Sequence, residues 1–468
     1  MFRLAVGVVV AATTLAVPTV IDDDVQAAAV GPPNVVVIMT DDMRVDDLAA
    51  LPKTERLLGA VDGQGASYNH AYVTLPLCCP SRATFLTGQY PHNHGVWDNA
   101  GEAGGFSAFD DADTIPLWLQ DAGYQTVMLG KYLNRYGYLG AGSDPTYVPP
   151  GWTSWAALAG PSVWNYRNFD VNVNGTVREI RDSYQTTNFR QRAVRQIRTR
   201  VPADEPMFMW LSLLAPHNGS GGPRVPAEPK YAGQSTVGRP KSAAFDEQLI
   251  GDKPPWIENL PRLDATDEQQ VIRLRRQRRD ALRSVDDTVA KVVNELRATG
   301  ELDNTMIIFT TDNGFLLGEH RVHHDKRYPY EESIRVPLLI RGPGVSPGVH
   351  REPVSNVDLA PTIAALAGVT PGGEVDGMSM LDPIPNDRPL LLESPKPWLD
   401  GGMPAYAGIR QGRWRYIEYD QGRELYDVGS DPWQLRNRIA DPTLRQTRAD
   451  LAATLDELRD CAGETCRQ

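Results

Sequence analysis

The chain of 468 residues has only four cysteines, at positions 78, 79, 461 and 466, and no zinc-binding spacing among them. So few thiols in so long a chain exclude a disulfide-dense scaffold, and the length suits two or three structural units. Long apolar runs are missing after residue 30, which excludes a multi-span membrane protein. Positive charge is in short supply. A formal net charge of −12 excludes a general nucleic-acid binder, whose surface has to be basic. It also means that an anionic ligand would have to be drawn in by local cations rather than by the overall field. No internal repeat or low-complexity tract is present, which excludes a repeat architecture.

What is there is ordinary for a globular protein: 41% hydrophobic and 23% charged residues, with 41 glycines and 37 prolines that predict many loops. The first residues read as a secretory leader. A short basic start, Met1-Phe2-Arg3, precedes an Ala- and Val-rich apolar stretch over 4–21 and the small-residue site Val25-Gln26-Ala27-Ala28-Ala29, so that 1–29 is predicted to be removed. The alternative is a membrane anchor, since roughly 18 residues just span a bilayer; Thr13, Thr14 and Pro18 favour the leader. In an exported chain Cys461 and Cys466 could form a disulfide. An adjacent Cys78–Cys79 bridge would be strained, which leaves two thiols to be explained.

Residues 34–40 are apolar on both faces and end in Asp41-Asp42, as expected of a strand buried in a parallel sheet. Further buried strands are predicted at 124–129, 206–214, 305–311 and 336–341. Helices are predicted at 48–61, 114–122 (capped by Thr114), 269–299 (stopped by Gly300) and 358–367. Residues 138–170 and 218–264 read as loops. From about 385 the pattern changes: 405–419 alternates polar and apolar residues, 424–427 follows, and 443–461 reads as a last helix. The expected fold is α/β, with a large, mostly parallel central sheet flanked by helices over 30–385 and a small antiparallel sheet with a helix over 386–468.

Two predicted strand ends carry paired hard ligands, Asp41-Asp42 and Asp312-Asn313. Ligands collect at the carboxyl ends of strands in open α/β sheets, and carboxylate and amide oxygens suit Ca²⁺ or Mg²⁺ rather than zinc. Each pair alone is more often a turn or a cap; two together favour a metal. A third element is Cys78-Cys79-Pro80-Ser81-Arg82 followed by Thr87-Gly88. Pro80 suits the first turn of a helix, which would place Cys78 in a field that favours anions. A buried thiol pair, or a thiolate activated by the helix and Arg82, are the simple readings. Neither needs Pro80, Ser81 and Arg82 at these offsets.

Here the sequence resembles the sulfatase family, whose signature is Cys-x-Pro-Ser-Arg followed by Thr-Gly. The resemblance continues through Gly130-Lys131-Tyr132, Ala215-Pro216-His217, Thr311-Asp312-Asn313-Gly314, Asp325-Lys326-Arg327 and Glu424-Leu425-Tyr426-Asp427. Within the family the sequence looks closest to the N-acetylglucosamine-6-sulfatases and extracellular heparan sulfatases, on stretches such as Tyr90-Pro91-His92-Asn93-His94 and Gly130-Lys131-Tyr132-Leu133-Asn134. The resemblance implies an alkaline phosphatase-like fold and a Ca²⁺ held by Asp41, Asp42, Asp312, Asn313 and a modified Cys78. That residue would be oxidised to 3-oxoalanine (formylglycine) by a separate formylglycine-generating enzyme.

The resemblance further implies roles. Arg82 would hold the aldehyde hydrate, and Lys131 and Lys326 would contact sulfate oxygens. His217, or Lys326, would assist the departing alcohol. One hydroxyl of the hydrate would attack sulfur, and the second would later expel sulfate. Many relatives carry a histidine two residues after the Gly-Lys lysine; Leu133 stands there, so that His94, with His92, becomes the candidate base and Asn134 a candidate substrate contact. His323 and His324 would lie near the pocket mouth. The expected activity is hydrolysis of sulfate esters, with the 6-sulfate of N-acetylglucosamine as the substrate that the resemblance favours. Its rivals are a phosphonate monoester or phosphodiester hydrolase of the same superfamily and, with Cys78 unmodified, a silent binder of sulfated glycans.

Overall fold

The computed structural model describes residues 31–467, apart from 141–142, 201–204 and 395–403, together with 1, 2, 4, 5 and 7. The predicted leader therefore lies almost wholly outside the described residues, as does its cleavage site. Residues Pro32–Gln468 form one unit.

The apolar, β-branched run after Pro33 forms the strand Asn34–Thr40, with every residue buried. It pairs in parallel with Met207–Ser212 on one side and Thr305–Thr311 on the other. Such a strand has to be covered on both faces. Val35, Val37 and Met39 pack into one core with Ala83, Phe85 and Leu86 of the helix Cys78–Thr87. Val36 and Ile38 face a second core, with Phe189 of the helix Gln185–Arg200 and Val285, Val289 and Val292 of the helix Ala265–Ala298.

Ten strands make the sheet, in the order Gly348–His350, Ala66–Tyr68, Leu339–Arg341, Thr305–Thr311, Asn34–Thr40, Met207–Ser212, Gln125–Gly130, Ser154–Leu158, Phe169–Val173, Thr176–Ile180. The stretch from Thr305–Thr311 to Ser154–Leu158 is parallel, and Leu339–Arg341, Phe169–Val173 and Thr176–Ile180 are antiparallel to their neighbours. The strands Leu390–Ser394, Tyr406–Gln411, Trp414–Tyr419 and Gly422–Asp427 form a separate antiparallel sheet. The helix Arg445–Leu458 covers it through Leu451 and Leu455. The α/β architecture with a small antiparallel sheet is as expected.

Several details differ. Residues 138–170, expected as loop, contain the strand Ser154–Leu158, which extends the parallel sheet. The strand predicted over 336–341 is only Leu339–Arg341 and runs antiparallel. Thr114 precedes the helix Ile115–Asp121 without a side-chain cap. The long helix begins at Ala265, earlier than its apolar periodicity suggests, because Asp264 accepts from the backbone N–H groups of Thr266 and Asp267. Cys461 and Cys466 form a disulfide. Among the described residues no helix is long and apolar enough to cross a membrane.

Candidate active site

The site is built where neighbouring strands end. Asn34–Thr40 delivers Asp41 and Asp42, and Thr305–Thr311 delivers Asp312 and Asn313; all four residues are buried. Parallel pairing in register, with Thr40 opposite Thr311, sets the two acidic pairs side by side. Asp42 has φ 64°, a conformation rare outside glycine, and its own N–H donates to Asp312 Oδ1 at 3.0 Å.

Cys78 starts the helix Cys78–Thr87, two residues before Pro80. Its Sγ lies 3.5 Å from Asp41 Oδ1 and 2.8 Å from Lys326 Nζ. One ligand atom from each of Asp41, Asp42, Cys78 and His217 falls within 4.8 Å of all the others. Burial, with Asp41 adding to it, pushes the Cys78 thiol up to about 12. Burial thus works against the thiolate reading of Cys78.

Arg82, fully buried, lies beneath the cluster. It donates to Asp312 Oδ2 at 2.8 Å, Ser212 Oγ at 2.7 Å and the carbonyls of Lys131 and Tyr132 at 2.9 and 3.2 Å. The rigid fork of guanidinium donors suits this many acceptors at once. Lys131 Nζ donates to Asp41 Oδ2 at 2.5 Å, and Lys326 Nζ donates to Asp42 Oδ1. Burial opposes the charged form of each aspartate, but Lys131 on Asp41 and Lys326 on Asp42 outweigh it, and both carboxyls sit below their ordinary values. Gly130 explains how Lys131 enters. At φ 108° its backbone passes so close to Ser212 that an added Cβ would lie 1.8 Å from that carbonyl oxygen.

His217 Nε2 is 3.6 Å from Asp42 Oδ2, and Nδ1 is 2.7 Å from the carbonyl of Asn218. Burial pushes the imidazole below its ordinary value, against the pull of Asp41 and Asp42. The Trp164 ring stacks on His217 at 4.7 Å between centroids and carries Lys131 Nζ 4.7 Å above it. Arg278 donates to the carbonyls of Asp42 and Pro216 from the long helix. Sequence reasoning missed both. Trp164 sits in a stretch read as loop, and Arg278 is one of many arginines in a polar helix; only an inward position in the helical period could have marked it.

Other candidates lie elsewhere. His94 is not brought to the cluster. Its Nε2 is 3.0 Å from Thr84 Oγ1, its Nδ1 accepts from the Val96 N–H at 3.1 Å, and burial pushes it down to about 3. Both nitrogens thus fasten the turn after the helix, and the ring is neutral. His92 is bound to Glu393 and to the Cys461 carbonyl. No described contact joins the Asn134 side chain to the cluster, and its buried Oδ1 has no hydrogen-bond partner. Leu133 points into the apolar core. His323 and His324 face each other through Nδ1 atoms 3.0 Å apart, with His323 Nε2 3.3 Å from the Asp267 carbonyl.

The chemistry of the donor set tests for a cation. Asn313 Nδ2 donates to Asp42 Oδ1 at 2.7 Å, while its Oδ1 is buried with no hydrogen-bond partner. An orphaned amide oxygen beside three carboxylates is costly without a positive partner and suits a hard divalent ion. Asp41, Asp42, Asp312 and Asn313 therefore fit such an ion.

Comparison with known proteins agrees with this arrangement. The Sulfatase family model matches residues 33–369, and the model described as N-sulphoglucosamine sulphohydrolase, C-terminal, matches 318–461. The chain is 33% identical over 493 residues to the N-acetylglucosamine-6-sulfatase of Homo sapiens, covering 93% of this chain and 86% of that protein. It is 32% identical over 497 residues to an arylsulfatase of Volvox carteri, covering 93% and 75%. A solved structure of a protein in complex with its substrate D-glucosamine-2-N,6-O-disulfate superposes with a TM-score of 0.77 at 24% identity, over 93% of this chain and 98% of that one. The chain belongs to the sulfatase family, the enzymes that hydrolyse sulfate esters.

Proposed function

We propose that the chain removes the 6-O-sulfate from N-acetylglucosamine of glycosaminoglycan-type sugars, using Ca²⁺ at Asp41, Asp42, Asp312 and Asn313 and a 3-oxoalanine made from Cys78. The observation that carries this reading is the meeting of Asp41 and Asp42 with Cys78, with Asp312 and Asn313 hydrogen-bonded to Asp42 and with Lys131 and Lys326 each within hydrogen-bond reach of an aspartate in the same cluster. When present, the ion supplies Lewis acidity toward a sulfate oxygen, and the hydrated oxoalanine supplies the attacking oxygen.

The chain's own residues do the rest. Lys131 and Lys326 bind the sulfate oxygens as compact cations and give local attraction in a chain of net charge −12. Arg82, locked by its acceptors, fixes Asp312 and the carbonyls of Lys131 and Tyr132. His217, stacked on Trp164 and with Nε2 3.6 Å from Asp42 Oδ2, donates a proton to the departing alcohol from its protonated form, in which the Nδ1–H stays on the Asn218 carbonyl. Sugar specificity rests on the similarity to N-acetylglucosamine-6-sulfatase. The leader-like composition of residues 1–29 and the Cys461–Cys466 disulfide support export. Cys78 is fully buried, so the separate oxidising enzyme must reach it before the chain folds.

Peptide mass spectrometry over residue 78, paired with Cys78→Ala assayed on sulfated disaccharides, tests this. The expected result is an aldehyde in place of the thiol and an inactive variant. An unmodified thiol in active enzyme would refute the oxoalanine. Faster turnover of an aryl phosphodiester than of an aryl sulfate would refute the substrate class.

A further inference from the structure

The helix Ala265–Ala298 has two different arginine faces. Inward, Arg275 reaches Asp46 at 2.9 Å and Arg278 holds the carbonyls behind the active site. Outward, Arg273, Arg276 and Arg283 recur at steps of three and seven, which is one helical face; Arg279 between them is 13% exposed and lies 3.8 Å from Asp47. At about 1.5 Å per residue this row is roughly 15 Å long.

Acids hardly neutralise the outward row. Among the described residues no hydrogen bond or ion pair holds the guanidinium of Arg273, which is exposed. Arg276 donates to the Val237 carbonyl at 2.7 Å, and Arg283 donates to Gln234 Oε1; both acceptors are neutral. Asp280, the one acid within 269–283, is turned onto the Gly233 and Ser235 N–H groups at 2.8 and 2.7 Å. Arg275, Arg278 and Arg279 are paired with Asp46 and Asp47, so the local excess is the row of Arg273, Arg276 and Arg283 against Asp280, on a chain that is −12 overall.

The row lies along connected hollows. A small one of about 130 Å³ is lined by His323, His324 and Arg273. It shares Arg273 with a groove of about 420 Å³ that adds Arg224 and Arg276. That groove shares Ser235 with one of about 440 Å³ lined by Arg279 and Arg283. The track thus starts two residues in sequence from Lys326 and leads away along the helix.

We infer that this row is a binding track for a sulfated polysaccharide, holding the polymer beyond the sugar whose sulfate is being removed. The inference rests on the sulfated-glycan reading of the active site. Planar guanidinium forks suit tetrahedral oxyanions. A polyanion repelled by the net charge needs such a local row to dock. Duplex nucleic acid carries similar charge, but the track starts two residues in sequence from Lys326, in a chain read as acting on sulfate esters.

The test uses the matured full chain and heparin as the probe. Arg273→Glu/Arg276→Glu/Arg283→Glu is compared with Arg178→Glu/Arg195→Glu/Arg351→Glu, an equal charge change at exposed arginines elsewhere. The serine triple at 273, 276 and 283 serves if reversal harms folding. The track variants are expected to raise the Kd for heparin at least tenfold with a shallower salt dependence, and the control less than threefold. Turnover of a small aryl sulfate should stay within twofold throughout. Equal weakening by track and control variants, no weakening by the track variants, or duplex DNA bound by the track as tightly as heparin would overturn the inference. A wild type that turns over no sulfate ester, yet loses heparin only in the track variants, would sink the functional reading and leave the track standing.

Discussion

Asp42 and Asn313 show how much is demanded of single residues at the strand ends. Asp42 holds a left-handed backbone, accepts from Lys326 and Asn313, and lies 3.6 Å from His217. Asn313 spends its amide N–H on Asp42 and leaves Oδ1 free for a cation. Asn313→Ala is therefore expected to abolish most of the rise in Tm that Ca²⁺ gives the wild type, read by differential scanning calorimetry with and without chelator. An unchanged rise would show that the amide is not a ligand. Lys326→Ala removes the cation beside Cys78 and Asp42. By analogy with the loss of one preorganised donor, kcat/KM for an aryl sulfate should fall about 10²–10³-fold. A loss smaller than tenfold at unchanged Tm would argue that Lys326 does not contact the sulfate. Of this cluster, the pairs Asp41-Asp42 and Asp312-Asn313 and Cys78 were legible as motifs. Trp164 and Arg278 were not, since a lone aromatic in a glycine-rich stretch and one arginine among many carry no local signal.

At the scale of elements, ion pairs fasten the segments around the site. Arg388 is paired with Asp358 through two bonds of 2.8 Å, both side chains essentially without exposure. Asp358 also accepts from the N–H groups of Ser355 and Met378, tying the start of the helix Leu359–Ala367 to the chain ahead of the small sheet. Arg388→Ala strands a buried carboxylate and should cost about 3–5 kcal/mol in urea unfolding.

His92 makes a pH-sensitive fastening. Burial would push its imidazole down, but the hydrogen bonds and charge of Glu393 at 3.0 Å outweigh this and raise it to about 9. Burial raises Glu393 as well, in the opposing sense, yet the proton lost above pH 6.5 is the histidine's. A histidine raised in the folded state contributes in full below its unfolded value of 6.5 and loses that contribution as pH climbs through 9. Stability should thus decline between those limits by at most about 3 kcal/mol, and His92→Gln should flatten the decline. An unaltered slope in that variant would assign it to another group.

For the whole molecule, the division at 385 is a proposal with a physical consequence. Leu390, Leu392, Tyr406, Ile417 and Tyr426 of the small sheet belong to the same apolar core as Val35 and Val37 of the central strand. Glu424 also accepts from Tyr330, which lies in the segment just after Lys326, at 3.1 Å. A chain ending at 385 would expose that surface, so it is expected to lack a cooperative thermal transition and to be digested rapidly by protease. A stable, cooperatively melting fragment would show instead that 386–468 merely leans on a finished domain.

The amino-acid order alone determined the buried strands, because apolar runs flanked by turn residues have few other uses. It determined the paired acidic and amide side chains at their ends and the cysteine in its signature. The two-residue period at 405–419 foretold the small sheet, and the spacing of the last two cysteines allowed their bridge. Only the tertiary structure decided which strand lies beside which, and hence that residues 42 and 312 share one site across 270 positions of chain. It decided that His94 serves a turn while His217 faces an aspartate, and that a strand hides in 154–158. Those outcomes depend on long-range pairing and burial, which arise from the packing of distant segments and leave no local trace.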